Sequence, residues 1–216
     1  MSGESNILVQ DWAQPGDPFR LVAVEVQGVD WMAELPTSTR ERMTRFSDAT
    51  ARARAGASEW FKACWLPREL GMERVEFEWG VNGKPLLTGA VANWGFNLSH
   101  AGGYAVAVLA QGVSLGVDLE STSRKADMER LGRRVFSESE QTWVCTGGRE
   151  AFFTLWSQKE ALLKAMGCGW ADGNIVRRTQ LVRVAFQIEP VTGVQVWSRF
   201  VRGRDYSLAI AQIPAR

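Results

Sequence analysis

The pattern of apolar and polar positions divides the chain into short strands and longer helical stretches. Residues 20–26, 75–81 and 96–98 read as strands, and residues 104–110 form a continuous apolar run of the kind that is buried. Gln111 and Gly112 then supply a turn. Residues 113–120 alternate: Val113, Leu115, Val117 and Leu119 fall on one face, and Asp118 and Glu120 share the other. A helical region is expected from Pro36, with a break, to about residue 66. Further helices are expected near 126–135, 138–145 and 151–166, the last ending at Gly167. Three more strands follow near 181–187, 194–202 and 205–212, while residues 1–18 are polar and expected to be partly loose. Each half mixes helices with antiparallel strands, which predicts an α+β architecture of two similar lobes. No internal sequence repeat accompanies it.

Composition narrows the picture. At 216 residues the chain can bury a substantial core. A net charge of +1 gives no sign of a nucleic-acid or membrane partner. The three cysteines, Cys64, Cys145 and Cys168, form no CxxC and no even disulfide set, which fits a reducing cytoplasm. The first thirty residues lack a signal peptide's basic start and apolar run, and no stretch approaches the twenty apolar residues of a membrane span. Ten tryptophans at irregular spacing read as packing residues in cores or interfaces.

Candidate chemistry comes from four segments. Two like charges on one strand face, Asp118 and Glu120, are unfavourable unless water or a cation lies between them. Oxygen ligands suit Mg²⁺. Alone, the pair reads sooner as a solvated strand end. In Trp156-Ser157-Gln158-Lys159-Glu160-Ala161-Leu162-Leu163-Lys164, Glu160 and Lys164 share one helix face. Alone they make an ordinary surface ion pair; convergence with Asp118 and Glu120 would gather three carboxylates beside a phosphate donor. Asn97-Leu98-Ser99-His100 follows an apolar strand into a Gly-rich turn, where Ser99 and the chain's single histidine, His100, could meet a phosphate. A Ser-His hydrolase lacks a third orienting acid. Finally, Gly83-Lys84-Pro85 reads as a turn that displays Lys84.

In this order and spacing, the segments resemble the surfactin-type 4′-phosphopantetheinyl transferases. Gly116-Val117-Asp118-Leu119-Glu120 looks like that family's acidic strand. Trp156 opens its Trp-(Ser/Thr)-x-Lys-Glu helix about forty residues on. Phe136-Ser137-Glu138-Ser139-Glu140 looks like the Phe-Ser-x-x-Glu element between them. The resemblance spans roughly residues 37–170.

It implies transfer of 4′-phosphopantetheine from coenzyme A to a serine hydroxyl of an apo acyl or peptidyl carrier protein, with adenosine 3′,5′-bisphosphate leaving. It implies that Asp118, Glu120 and Glu160 ligate Mg²⁺ (Mn²⁺ possible), and that Glu160 is general base. Lys164 is then assigned to the leaving phosphate. Lys84, Pro85, Ser99 and His100 are assigned to coenzyme A. Of the arginines within residues 37–62, Arg42 and Arg54 are the choice for the 3′-phosphate. The family form also implies a pseudo-twofold monomer with its site between a coenzyme A lobe, 1–112, and a metal lobe, 113–216. Arg130, Arg133, Arg134, Val135 and Phe136 form a candidate carrier-docking patch. A non-catalytic carrier- or nucleotide-binding relative and a Mg²⁺-dependent phosphoesterase are the alternatives.

Overall fold

The computed structural model describes residues 7–170, 177–181 and 185–214. Its strands are β1 (Gln10–Asp11), β2 (Arg20–Glu25), β3 (Phe77–Trp79), β4 (Pro85–Leu87), β5 (Trp94–Ala101), β6 (Tyr104–Gln111), β7 (Val113–Ser121), β8 (Ala185–Ile188), β9 (Gln195–Val201) and β10 (Tyr206–Pro214). Two antiparallel sheets of four strands run β1-β2-β6-β5 and β7-β10-β9-β8, and β3 pairs β4 in a hairpin. All strands of the first sheet precede Gly112 and all strands of the second follow it. This is the mixed α/β architecture expected from the sequence.

Strand alternation explains how the layers stack. From β2, Leu21 and Ala23 enter a core shared with Leu115, Val117 and Leu119 of β7 and Leu208 and Ile210 of β10. Val22 and Val24 point the other way, into a core closed by helices. Those helices are α1 (Trp31–Glu34), α2 (Thr37–Met43), α3 (Ala49–Trp60) and α4 (Leu66–Leu70), the last two joined by a wider turn over Phe61–Trp65. On the second sheet, α5 (Met128–Val135) and α6 (Glu138–Met166) cover the outer face, where Phe152, Phe153, Leu155 and Leu162 meet Val196, Ala209 and Ala211.

Helix α6 joins the two helices expected at 138–145 and 151–166. The separation survives as a non-helical residue, Gly148, at φ 61° and ψ −139°. Glu140 and Lys159 form a 3.0 Å ion pair. A straight helix would hold them about 28 Å apart at 1.5 Å per residue, so α6 is folded back on itself at Gly148. The Phe-Ser-x-x-Glu element opens the first arm. Ser137 accepts from the Glu140 amide at 3.3 Å, and Glu140 accepts from the Ser137 amide at 2.8 Å. This reciprocal cap satisfies two donors that a helix start leaves unpaired.

Several local expectations need correction. Strand 96–98 extends over Trp94–Ala101, so Ser99 and His100 lie on β5, and Gly102 and Gly103 make the turn. Strand 75–81 shrinks to Phe77–Trp79. Val135 and Phe136 are buried, at 7% and 2% exposure, because they pack under α6; they cannot belong to a docking patch. The strand expected at 181–187 falls partly outside the described residues, as do residues 1–6. Among the described residues, no helix is long and apolar enough to cross a membrane.

Candidate active site

The edge strands β5 and β7 lie side by side, joined through side chains. Asn97 Oδ1 accepts from the Val117 amide at 3.0 Å, and Ser99 Oγ accepts from the Leu119 amide at 3.1 Å. Alternate amides of β7 thus find partners that no backbone ladder supplies. Gly95 permits this approach, since a methyl there would overlap the Val113 carbonyl. On the opposite side, Gly116 lets α6 lie directly on β7: a Cβ there would overlap the Ala161 carbonyl. The glycine that opens the acidic motif is therefore a packing requirement. Asp118 and Glu120 share its face.

The second arm of α6 divides its motif between anchoring and the cleft. Ser157 Oγ and Ser207 Oγ lie 2.8 Å apart, and Gln158 donates to Ser198 Oγ at 2.7 Å. Lys159 is sealed in the core with Glu140, and its Nζ also donates to Thr179 O at 3.2 Å. Trp156, Glu160 and Lys164, four residues apart, form the remaining stripe. Lys164 Nζ donates to Asp118 Oδ1 at 2.7 Å, Val117 O at 2.9 Å and Ser99 Oγ at 3.3 Å.

Electrostatics mark the three carboxylates as one site. Asp118 is buried, which raises its pKa against the pull of Lys164 and Ser99. Its Oδ1 accepts from Ser99 and Lys164, whereas its buried Oδ2 has no partner among the described residues. Glu120 is pushed up to about 7, first by burial and then by Asp118; Arg124, 3.0 Å away, opposes the rise. Burial and then Asp118 also raise Glu160, whose Oε1 accepts from the Trp170 indole at 2.7 Å. Among the described residues, no three such groups stand close enough to form a ready cation cage. The three acids sense one another without closing into a ligand set. An oxygen-only donor set, mutual repulsion and one orphaned buried oxygen nonetheless fit a hard cation.

A cleft of about 310 Å³ is lined by Lys62, Trp79, Lys84, Asn97 and Lys164 among others, and Lys164 links it to Asp118. Asn82 and Gly83 both adopt left-handed backbone, turning the chain between β3 and β4. This presents Lys84 to the end of α6, where it donates to Ala165 O at 3.1 Å and Ser114 Oγ at 2.8 Å. Asn82 Nδ2 donates to Gly167 O at 3.2 Å. The Gly-Lys-Pro turn thereby pairs carbonyls that a helix end leaves open. Burial lowers the Lys84 pKa to about 8. Pro85 lines the same cleft.

Of the other candidates, His100 is solvent-exposed at its edge, yet partial burial and the charges of Arg54 and Lys164 hold its pKa below the usual value. Arg54 is half-buried, with an Nε that has no partner among the described residues. Arg42 is more open and pairs with Glu59 at 3.8 Å. Ser99 is committed to Asp118, Leu119 and Lys164, so its hydroxyl is part of the interstrand joint. Five residues that sequence reasoning gave no role also shape the site: Asn97, Arg124, Trp170 and the cation–π pair of Lys62 with Trp79. Asn97 was legible as part of its motif. The reach of Arg124 and Trp170 left no sequence signal.

Desolvated carboxylates beside cleft-facing ammonium groups suit a phosphate ester held with a hard cation. Residues 114–211 match the model of the 4′-phosphopantetheinyl transferase superfamily. The chain is 33% identical over 155 residues to the 4′-phosphopantetheinyl transferase HetI of Nostoc sp., covering 68% of this chain and 65% of that protein. It is 34% identical over 108 residues to the 4′-phosphopantetheinyl transferase psf-1 of Bacillus pumilus, covering 48% of this chain and 45% of the relative. A third relative is the L-aminoadipate-semialdehyde dehydrogenase-phosphopantetheinyl transferase of Xenopus laevis, 30% identical over 138 residues, or 57% of this chain and 43% of that one. The chain thus spans about two thirds of the Nostoc protein and less than half of the other two. Residues 114–211 belong to the 4′-phosphopantetheinyl transferase superfamily.

Proposed function

We propose that the protein transfers 4′-phosphopantetheine from coenzyme A to a serine hydroxyl of an apo acyl or peptidyl carrier protein, releasing adenosine 3′,5′-bisphosphate. The observation that carries this reading is the junction of Asp118 and Ser99 with Lys164, which lines a cleft, while Glu120 and Glu160 feel the charge of Asp118. In the reaction the serine oxygen bonds to the phosphorus of the pantetheine phosphate and the pyrophosphate P–O bond breaks. Glu160 takes the serine proton; its raised pKa suits a base that must later release it. Lys164 donates to the departing phosphate oxygen.

Asp118, Glu120 and Glu160 would hold Mg²⁺ or Mn²⁺, which would supply charge neutralisation at the pyrophosphate. Lys84 and Pro85 hold coenzyme A in the cleft, His100 contacts it from outside the cleft lining, and Arg54 and Arg42 take its 3′-phosphate. Ser99 contributes by fixing Asp118 and Lys164. Residues 1–112 form the coenzyme A lobe and 113–216 the metal lobe of a cytoplasmic monomer whose partner is the carrier.

Chromatographic detection of adenosine 3′,5′-bisphosphate, with and without apo carrier, tests the reading. Release only with carrier is expected. Release without an acceptor would favour a phosphoesterase, and coenzyme A binding without turnover on any carrier would favour a non-catalytic relative.

A further inference from the structure

Trp170 lies just beyond α6 and outside every motif noted in the sequence. Gly167, at φ 72°, ends the helix in a left-handed turn. The Cys168 amide then donates to Leu163 O at 2.9 Å, and the Gly167 amide to Lys164 O at 3.2 Å. This paired closure sends the chain back along the helix. Trp170 consequently reaches a residue ten positions earlier: its indole Nε1 donates to Glu160 Oε1 at 2.7 Å.

The indole is itself held. Trp156 and Trp170 stack with centroids 4.9 Å apart and planes 28° apart. Trp156 in turn stacks on Phe152 at 5.8 Å and 18°. Phe152, Trp156 and Glu160 occupy one helical stripe, so the column of rings stands directly beneath the carboxylate.

We propose that Trp170 is a positioning residue for Glu160: its indole N–H fixes one carboxylate oxygen and leaves the other to face the cation and the acceptor hydroxyl. The inference rests on the proposed transferase reading. The physical need is clear from the site. Glu160 has three rotatable side-chain bonds and is repelled by Asp118. Without a fixed donor the carboxylate would turn towards water, and the three acids would lose their common geometry. Groups that orient a metal-ligating side chain typically matter about 10–100-fold in metal affinity or activity.

The test compares the full chain with Trp170→Phe, which keeps a ring for the stack and removes the N–H. Mn²⁺ affinity is read from the free-ion electron paramagnetic resonance signal, without coenzyme A or carrier. Unfolding curves check that the fold is retained. Trp170→Phe is expected to weaken Mn²⁺ binding about tenfold or more and to lower kcat with little change in KM for coenzyme A. Equal Mn²⁺ affinity and equal kcat would overturn the role of Trp170 and leave the transferase reading standing. Absence of Mn²⁺ binding by the unaltered protein would overturn the cation reading together with this inference. Should Trp170→Phe fail to fold, the indole N–H resonances of the unaltered protein serve instead. A downfield signal that moves on Glu160→Gln supports the bond, and no moved signal overturns it.

Discussion

Lys159 and Lys164 stand five residues apart on the same helical arm and both pair with a carboxylate, yet their surroundings differ completely. Lys159 is fully buried, 3.0 Å from Glu140, and clamps the two arms of α6 together. Lys164 is 30% exposed at its side chain, 2.7 Å from Asp118, and opens on the cleft. One pair is sealed from substrate by the core. The other sits where a phosphate could displace a hydrogen bond. The comparison teaches that a motif read as a single chemical signature divides into a buried structural half, Ser157-Gln158-Lys159, and a half-buried stripe, Trp156, Glu160 and Lys164, that ends at the cleft with Lys164. Helical geometry makes that division, because residues four apart share a face and their neighbours point elsewhere.

Breaking the two pairs separately should expose the difference. Lys159→Ala leaves Glu140 buried without its cation and is expected to cost about 3–5 kcal/mol, measured by denaturant unfolding. In Lys164→Ala the buried Asp118 keeps its hydrogen bond from Ser99, and water can enter where the 30% exposed Lys164 side chain stood, so the stability cost should be smaller. The kcat of this variant should fall about 10²-fold or more, with coenzyme A affinity nearly unchanged in equilibrium dialysis. A Lys159→Ala protein of full stability, or a Lys164→Ala protein defective only in binding, would erase the contrast.

Smaller effects sharpen it. The native value of Glu120, about 7, lies above its ordinary 4.5, so the native state favours the protonated acid. The stability this contributes is fully present below pH 4.5 and lost as pH rises to about 7. Thermal melts of metal-free protein should fall across that window, Glu120→Gln should flatten the trend, and Mg²⁺ should restore stability at the upper end. The least severe change is His100→Ala, expected to weaken coenzyme A binding by about tenfold, roughly one lost hydrogen bond to a charged group, and to spare kcat. A selective loss of kcat would remove His100 from the binding wall.

Much of the fold was legible because its signals are local. Alternation in 113–120 set Asp118 and Glu120 on the face opposite Leu115 and Val117, and the structure places them there. The long apolar run at 104–110 became a strand buried on both sides. The expected break between 145 and 151 became the reversal at Gly148. What stayed hidden depends on contacts between distant segments. Ser99 looked like a free phosphate donor because nothing in its own segment reveals the Leu119 amide or Asp118. Phe136 read as a core residue somewhat more readily than as a surface anchor, and Phe152, 5.6 Å away, decides for the core. Trp170 lay beyond the helix stop, and only the turn at Gly167 brings it back to Glu160.

The most direct measurement of the central claim is the intact mass of an apo acyl or peptidyl carrier protein after incubation with this protein, coenzyme A and Mg²⁺. Parallel samples would contain EDTA or Asp118→Ala protein. The account predicts a gain of one phosphopantetheine arm on the carrier, lost in both controls while the Asp118→Ala protein remains folded. An unmodified carrier across acyl and peptidyl types, or a gain that persists with Asp118→Ala, would contradict it.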